Sequence, residues 1–100
     1  MYTIEFISKR VHKELTKLSY KDQEIIIKVL KVLESDPRPR SLKYSPLNID
    51  KSIKRVKCKR ARLFYLIDDS RKLIQIGKIQ NRDSQSYNNY AIKDWFAGVA

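Results

Sequence analysis

Two glycines and three prolines in one hundred residues leave little material for loops. The chain therefore reads as one compact domain, residues 1–100, with no room for a second core. A single cysteine, Cys58, excludes an internal disulfide and suits a reducing compartment. No apolar run approaches the ~18 residues that a membrane span requires, and the opening "YTIEFI" meets charge too soon for a signal peptide. No membrane association and a cytoplasmic location are the expectations. With one histidine, His12, the chain has no histidine pair for acid–base work near neutral pH. Asp68 and Asp69 are adjacent acids followed by Ser70, with no histidine or third carboxylate nearby. That pattern is turn chemistry rather than a metal pair, so neither a metal nor a cofactor is expected.

Acid is also scarce, and its scarcity is local. Lysine plus arginine number 22 against 11 acids, a net charge of +11. From Lys51 to Ile67 seven basic side chains occur with no acid at all: Lys51, Lys54, Arg55, Lys57, Lys59, Arg60 and Arg62. Like charges repel, so crowding them beside an apolar run adds nothing to folding. Such a field implies a polyanionic partner, nucleic acid first, or an acidic protein that neutralises it. An apolar share of 42% is ordinary for a folded protein.

Residues 2–7 alternate and are rich in β-branched and aromatic types, which predicts a strand. Ser8 stands where an N-cap would, ahead of a helix whose face is Val11, Leu15 and Leu18. Ser19, with Asp22 three residues later, predicts a second helix running to about Leu33, with Ile25, Ile26, Val29, Leu30 and Leu33 as its buried stripe. Proline in "SDPRPR" ends it. Residues 35–52 form the longest irregular stretch and carry Arg38, Arg40 and Lys43. Strands follow at about 53–58, 61–67 and 72–80, and the tail can close with a short helix using Tyr90, Trp95 and Phe96. The fold class is α+β: an N-terminal strand, an antiparallel helix hairpin, then a three-strand antiparallel meander completing a four-stranded sheet with helices on one face.

Strand alternation sorts the cluster. Val56 and Cys58 share the helix side with Leu63, Tyr65 and Ile67, whereas Arg55, Lys57 and Arg62 point the other way. Phe64 and Leu66 join the basic side, which predicts a cationic surface with some apolar floor, as an RNA groove needs. Cys58 reads as a small core residue, and His12 as a surface residue far from the cluster.

The helix hairpin, the run "RVKCKRARLFYLIDD" and the later "IGKIQNRDSQSY" resemble the RelE/ParE toxin superfamily of bacterial and archaeal toxin–antitoxin systems. The likeness in element order covers nearly the whole chain, and its sequence-specific part is residues 55–87. RelE-type members cleave mRNA in the ribosomal A site with basic residues and a tyrosine. The resemblance implies that Arg62 matches the arginine of the family's "YR" strand, Arg55 and Lys57 the preceding basic pair, Arg82 the arginine closing the last strand, and Tyr87 the tyrosine after it, with Tyr90 as a second candidate. Two features depart from the family: "CKRAR" has no glycine in its turn, and Asn81 stands where some relatives place a histidine.

The chemistry implied by the resemblance is a metal-free RNA cleavage in which the 2′-oxygen attacks the adjacent phosphate and the 5′-oxygen leaves. Arg62 and Arg82 would hold the scissile phosphate. Tyr87 would be base or base-stacker, and Lys57 acid or added charge stabiliser. Lys51, Lys54, Arg55, Lys59, Arg60, Arg38 and Arg40 would bind mRNA and 16S rRNA on the ribosome. The implied partner is a cognate acidic antitoxin covering the basic face, with promoter DNA reached only through that complex. A ParE-like inhibitor of DNA gyrase without nuclease activity and a plain RNA-binding domain are the alternatives.

Overall fold

The computed structural model describes residues 1–81 and 94–96. Strand β1 (Thr3–Phe6) leads into helix α1 (Lys9–Thr16) and helix α2 (Tyr20–Ser35). A 3-10 turn (Arg40–Leu42), a two-residue strand β2 (Ser45–Pro46), and strands β3 (Ile53–Cys58), β4 (Ala61–Asp68) and β5 (Leu73–Asn81) complete the order. The sheet has five strands, not four, in the order β1-β5-β4-β3-β2. The added strand pairs Ser45 with Arg55 and Pro46 with Lys54. Two residues, one of them proline, carry no alternation, so nothing local marks them as a strand. β1 runs parallel to β5, joined to it only from Thr3↔Leu73 to Phe6↔Ile76, and the other pairings are antiparallel.

Local signals account for the helices. Ser8 occupies the N-cap of α1 in extended conformation, though its side chain makes no capping bond. Ser19 does cap α2, its Oγ accepting from the Asp22 N–H at 3.2 Å, which satisfies one of the orphan donors of the first turn. Val11 and Leu18 from the first hairpin arm, and Ile26, Val29 and Leu33 from the second, pack on Val56, Cys58, Leu63, Tyr65, Ile74 and Ile76. Ile25 and Leu30 lie at the margin of that core, half-buried. Tyr65 is fully buried and donates its hydroxyl to the Pro37 carbonyl at 2.8 Å, tying the loop after α2 to the sheet. No helix among the described residues is long and apolar enough to cross a membrane.

With so little glycine, lysines take the left-handed backbone positions: Lys43, Lys59 and Lys72 all have φ between 53° and 55°. A side-chain-bearing residue there costs about 1 kcal/mol. Lys59 is the one that turns β3 into β4, and with its help Lys57 lies directly opposite Arg62 in register. The turn without glycine therefore closes with no slip in the strands it joins.

Candidate nucleic-acid interface

The surface opposite the helices is organised in rows across the strands. One row is Lys57, Arg62 and Gln80, from β3, β4 and β5; the next is Ser45, Arg55, Phe64 and Lys78. Directly paired side chains on a sheet face sit about 5 Å apart at Cβ, close enough for like charges to repel. Lys57 and Arg62, with Lys59 and Ala61, line a cleft of about 160 Å³ beside the hairpin tip. Lys57 is exposed and Arg62 half-buried, so both remain accessible from this cleft.

Gly77 decides what the end of β5 presents. Phe64 pairs with Lys78 and Tyr65 with Ile76, leaving Gly77 as an extra residue, a β-bulge. Ile74 and Ile76 precede it and Ile79 follows it, yet all three enter the helix-side core. The bulge thus shifts the alternation by one and sends Lys78 and Gln80 to the basic face. Sequence reasoning misses both. The signal that could find them is an isolated glycine inside a strand pattern whose apolar spacing changes from two to three.

Four ion pairs occur among the described residues: Arg10–Glu14, Arg38–Asp69, Arg71–Asp68 and Lys78–Glu14. None involves Lys51, Lys54, Arg55, Lys57, Lys59, Arg60 or Arg62. The paired acids lie elsewhere, and the cluster's charge is left facing outward. Arg55 reaches only the Ser45 hydroxyl at 3.4 Å, and its Nε is buried without a hydrogen-bond partner among the described residues.

The structure divides the sequence-derived site residues. Arg55, Lys57 and Arg62 share the open face, and Lys59 and Arg60 form the adjoining turn, both exposed. Lys54 belongs to the other strand phase, and its Nζ folds back onto the Lys51 carbonyl. Arg38 lies away from the group. Its guanidinium is held by Asp69 at 2.9 Å, beyond the far end of β4, about 25 Å from the hairpin tip at the usual strand rise. Arg40 sits exposed on the 3-10 turn that follows. Arg82, Tyr87 and Tyr90 lie outside the described residues.

The apolar floor differs from expectation. Phe64 is fully buried, not open to a ligand. Trp95 covers it with ring centroids 5.0 Å apart, and Leu47 and Ile53 complete the cluster, with Leu66 and Phe96 at its margin. The aromatic tail supplies the cover, so this part of the face is a second small core. Phe96 lies against Gly77, where any Cβ would collide with its ring. Helix α1 fastens the arrangement: the Arg10 guanidinium donates to the Gly77 carbonyl at 2.7 Å and to the Trp95 carbonyl at 3.2 Å. Glu14 accepts from Lys78 Nζ at 2.6 Å and from the Ile79 N–H at 3.0 Å, capping the edge of β5 where β1 has ended. The ammonium of Lys78 also lies 5.5 Å from the Trp95 ring centroid. Among the described residues, the part of this face left open to a polyanion is therefore the hairpin end of the sheet.

Other groups keep structural roles. Burial pushes the Cys58 thiol up to about 12, which makes it a core residue and a poor nucleophile. Burial likewise raises the Tyr65 phenol far above its ordinary range. Bonds from the Arg71 guanidinium, the Ser70 hydroxyl and the Arg71 N–H hold the Asp68 carboxyl down to about 2. Asp69 is lowered by Arg38 and by the Tyr2 hydroxyl, which donates to it at 2.5 Å. Asp68 thus serves the β4–β5 turn, and Asp69 ties that turn to Tyr2 and to the segment after α2. His12 is exposed on α1, its ring centroid 6.4 Å from that of Phe6.

Comparison with solved structures identifies the architecture. A chain of the archaeal RelE–RelB complex from Pyrococcus horikoshii superposes with a TM-score of 0.72 at 23% identity, covering 84% of this chain and 98% of that one. The isolated Escherichia coli RelE toxin gives 0.70 at 21%, covering 94% and 98%. The fold is that of the RelE toxins. A chain of the YoeB–YefM complex from Staphylococcus aureus shares the RelE-like fold at 0.64 and 19%, covering 87% and 99%. No protein-family model and no curated protein sequence matches the chain.

Proposed function

We propose that this protein is the toxin of a toxin–antitoxin pair and cuts mRNA in the A site of the ribosome. The observation that carries the reading is the row Lys57–Arg62–Gln80, bordering a cleft with no paired acid among the described residues, on a RelE-like fold. Two cations from neighbouring strands suit a phosphodiester. Arg62 can hold two phosphate oxygens through its planar fork, while Lys57 places a compact charge beside them. In-line attack of the 2′-oxygen, whose proton passes to the base, forms a bond to phosphorus as the P–O5′ bond breaks. A cyclic 2′,3′-phosphate results, and the 5′-oxygen departs with a proton from the acid. The cations stabilise the crowded charge on the phosphorane, and their preorganisation on paired strands means they need no rearrangement as that charge develops. Gln80 adds neutral donors and an acceptor on the other side of Arg62, suited to a hydroxyl or a base edge. Lys57 is the acid or an added stabiliser, and Tyr87 and Arg82 complete the set that the family resemblance implies.

An acidic antitoxin is the partner in this reading. The similar solved structures include toxin–antitoxin complexes, and a surface left positive by Arg55, Lys57, Lys59, Arg60 and Arg62 suits an acidic cover. Primer extension on a defined mRNA in a translating extract tests the activity. Cuts within codons at stalled A sites, absent on the same RNA without ribosomes, are the expected result. Intact mRNA, with translation continuing, would contradict the proposal and direct attention to gyrase supercoiling instead.

A further inference from the structure

A second cleft, of about 400 Å³, lies on the opposite flank of the hairpin tip, lined by Ser19, Lys21, Asp22, Ile25, Lys59 and Arg60. Lys59 also lines the Lys57–Arg62 cleft. One lysine, standing in the left-handed turn position, therefore borders both. Lys21, Lys59 and Arg60 come from two elements, the start of α2 and the β3–β4 turn, and all three are exposed. None forms an ion pair among the described residues, and Asp22 is the one acid in the lining. Between Ser19 and Lys21 in the chain stands Tyr20, 86% exposed, the most exposed aromatic residue described. Tyr20 is not itself in the lining but is the chain neighbour of two residues that are. Exposed cations and an exposed aromatic ring are the two components of a single-strand RNA platform, one for phosphates and one for a base.

We propose that this cleft is a second RNA-binding site, in which phosphates flanking the cut pass around the hairpin tip from Lys57 and Arg62, over Lys59, to Arg60 and Lys21, with Tyr20 stacking on one base. The inference rests on the nuclease reading and extends it to the RNA beyond the scissile bond. It places substrate recognition on α2, an element whose remaining role is to cover the sheet. The phosphates can belong to the mRNA or to ribosomal RNA, whose chemistry is the same.

The test uses the full chain and its Lys21→Ala/Arg60→Ala double variant, with Tyr20→Ala and Tyr20→Phe beside them. Affinity for a fluorescent single-stranded RNA of about fifteen nucleotides, roughly the upper site size of a single-strand platform, is measured across salt concentrations, and cleavage is measured on programmed ribosomes. The double variant is expected to bind about tenfold more weakly and to lose roughly 1.4 from the slope of log K against log salt, as for two phosphate contacts. Tyr20→Ala is expected to weaken binding about tenfold, and Tyr20→Phe to restore it. An mRNA truncated just past the A-site codon separates the sources. A cleavage defect that persists on it assigns the phosphates to ribosomal RNA, and one that vanishes assigns them to mRNA. Unchanged affinity, slope and cleavage in the double variant, with the unsubstituted chain active, would overturn the second site and leave the nuclease reading standing. An unsubstituted chain that neither binds the RNA nor cuts programmed ribosomes would overturn both.

Discussion

The two faces of the sheet are built by the same strands under the same alternation, yet they differ in what completes them. On one face, Val56, Leu63, Tyr65, Ile74 and Ile76 are closed off by two helices from the same chain. On the other, Trp95 and Phe96 close one end over Phe64 and Ile53, and no described residue closes over Lys57, Arg62 and Gln80 at the hairpin. The first face carries the stability of the domain. The second carries charge that no acid among the described residues pairs, and folding does not need it. Neighbouring residues on β4 thus serve different ends, and substitutions should separate them.

The sharpest contrast is between Leu63 and Arg62. Leu63 is fully buried among both helices, and Leu63→Ala should cost about 2–5 kcal/mol of stability, read as a fall in the midpoint of chemical unfolding. Next is the border between the two ends of the basic face. Gly77→Ala would drive a methyl into the Phe96 ring and should cost about 1–3 kcal/mol. Fluorescence of the single tryptophan would shift to the red as Trp95 lifts from Phe64; an unshifted spectrum at unchanged stability would show that the ring yields freely.

Lys59→Gly works in the opposite direction. It relieves the left-handed backbone and should stabilise the protein by about 1 kcal/mol, while removing the cation shared by both clefts and weakening RNA binding. A variant that is both less stable and equally tight would reverse that assignment. The smallest effect concerns acid. Asp68, held down to about 2 in the folded state, titrates below the ordinary carboxylate value of 3.8. Its contribution is therefore complete above about pH 4 and is lost as pH falls toward about 2. Asp68→Asn should flatten the stability profile between about pH 4 and pH 2 and leave its shape near neutrality unchanged.

The legible parts of the fold are those with short-range causes. The Ser19 cap, the prolines after α2 and the alternation of "IKRVKC" and "ARLFYLI" place both helices and the central hairpin close to where they stand. They also place Arg55, Lys57 and Arg62 on one face. What escapes depends on distant partners. β1 is parallel to β5 because the helix hairpin carries the chain to the opposite edge of the sheet and the later strands return beside it, and β2 exists only because β3 offers it an edge. Arg38 reads as one more free cation until Asp69, 31 residues away in sequence, is seen to hold it. The phase change at Gly77, which turns Lys78 and Gln80 toward the cluster, is written locally but needs the bulge to be recognised. Phe64 reads as an open floor because nothing near it in sequence reveals that Trp95 returns to cover it.

The most direct measurement compares Arg62→Ala with the unsubstituted protein in two readings, the rate of mRNA cleavage on programmed ribosomes and the free energy of unfolding. If the open face is the catalytic one, cleavage should fall by at least about a hundredfold, as expected when a preorganised charge on the transition state is removed. Stability should be unchanged, or slightly raised by relief of repulsion from Lys57. Cleavage retained at the full rate, or lost only in proportion to a fall in stability, would contradict that assignment.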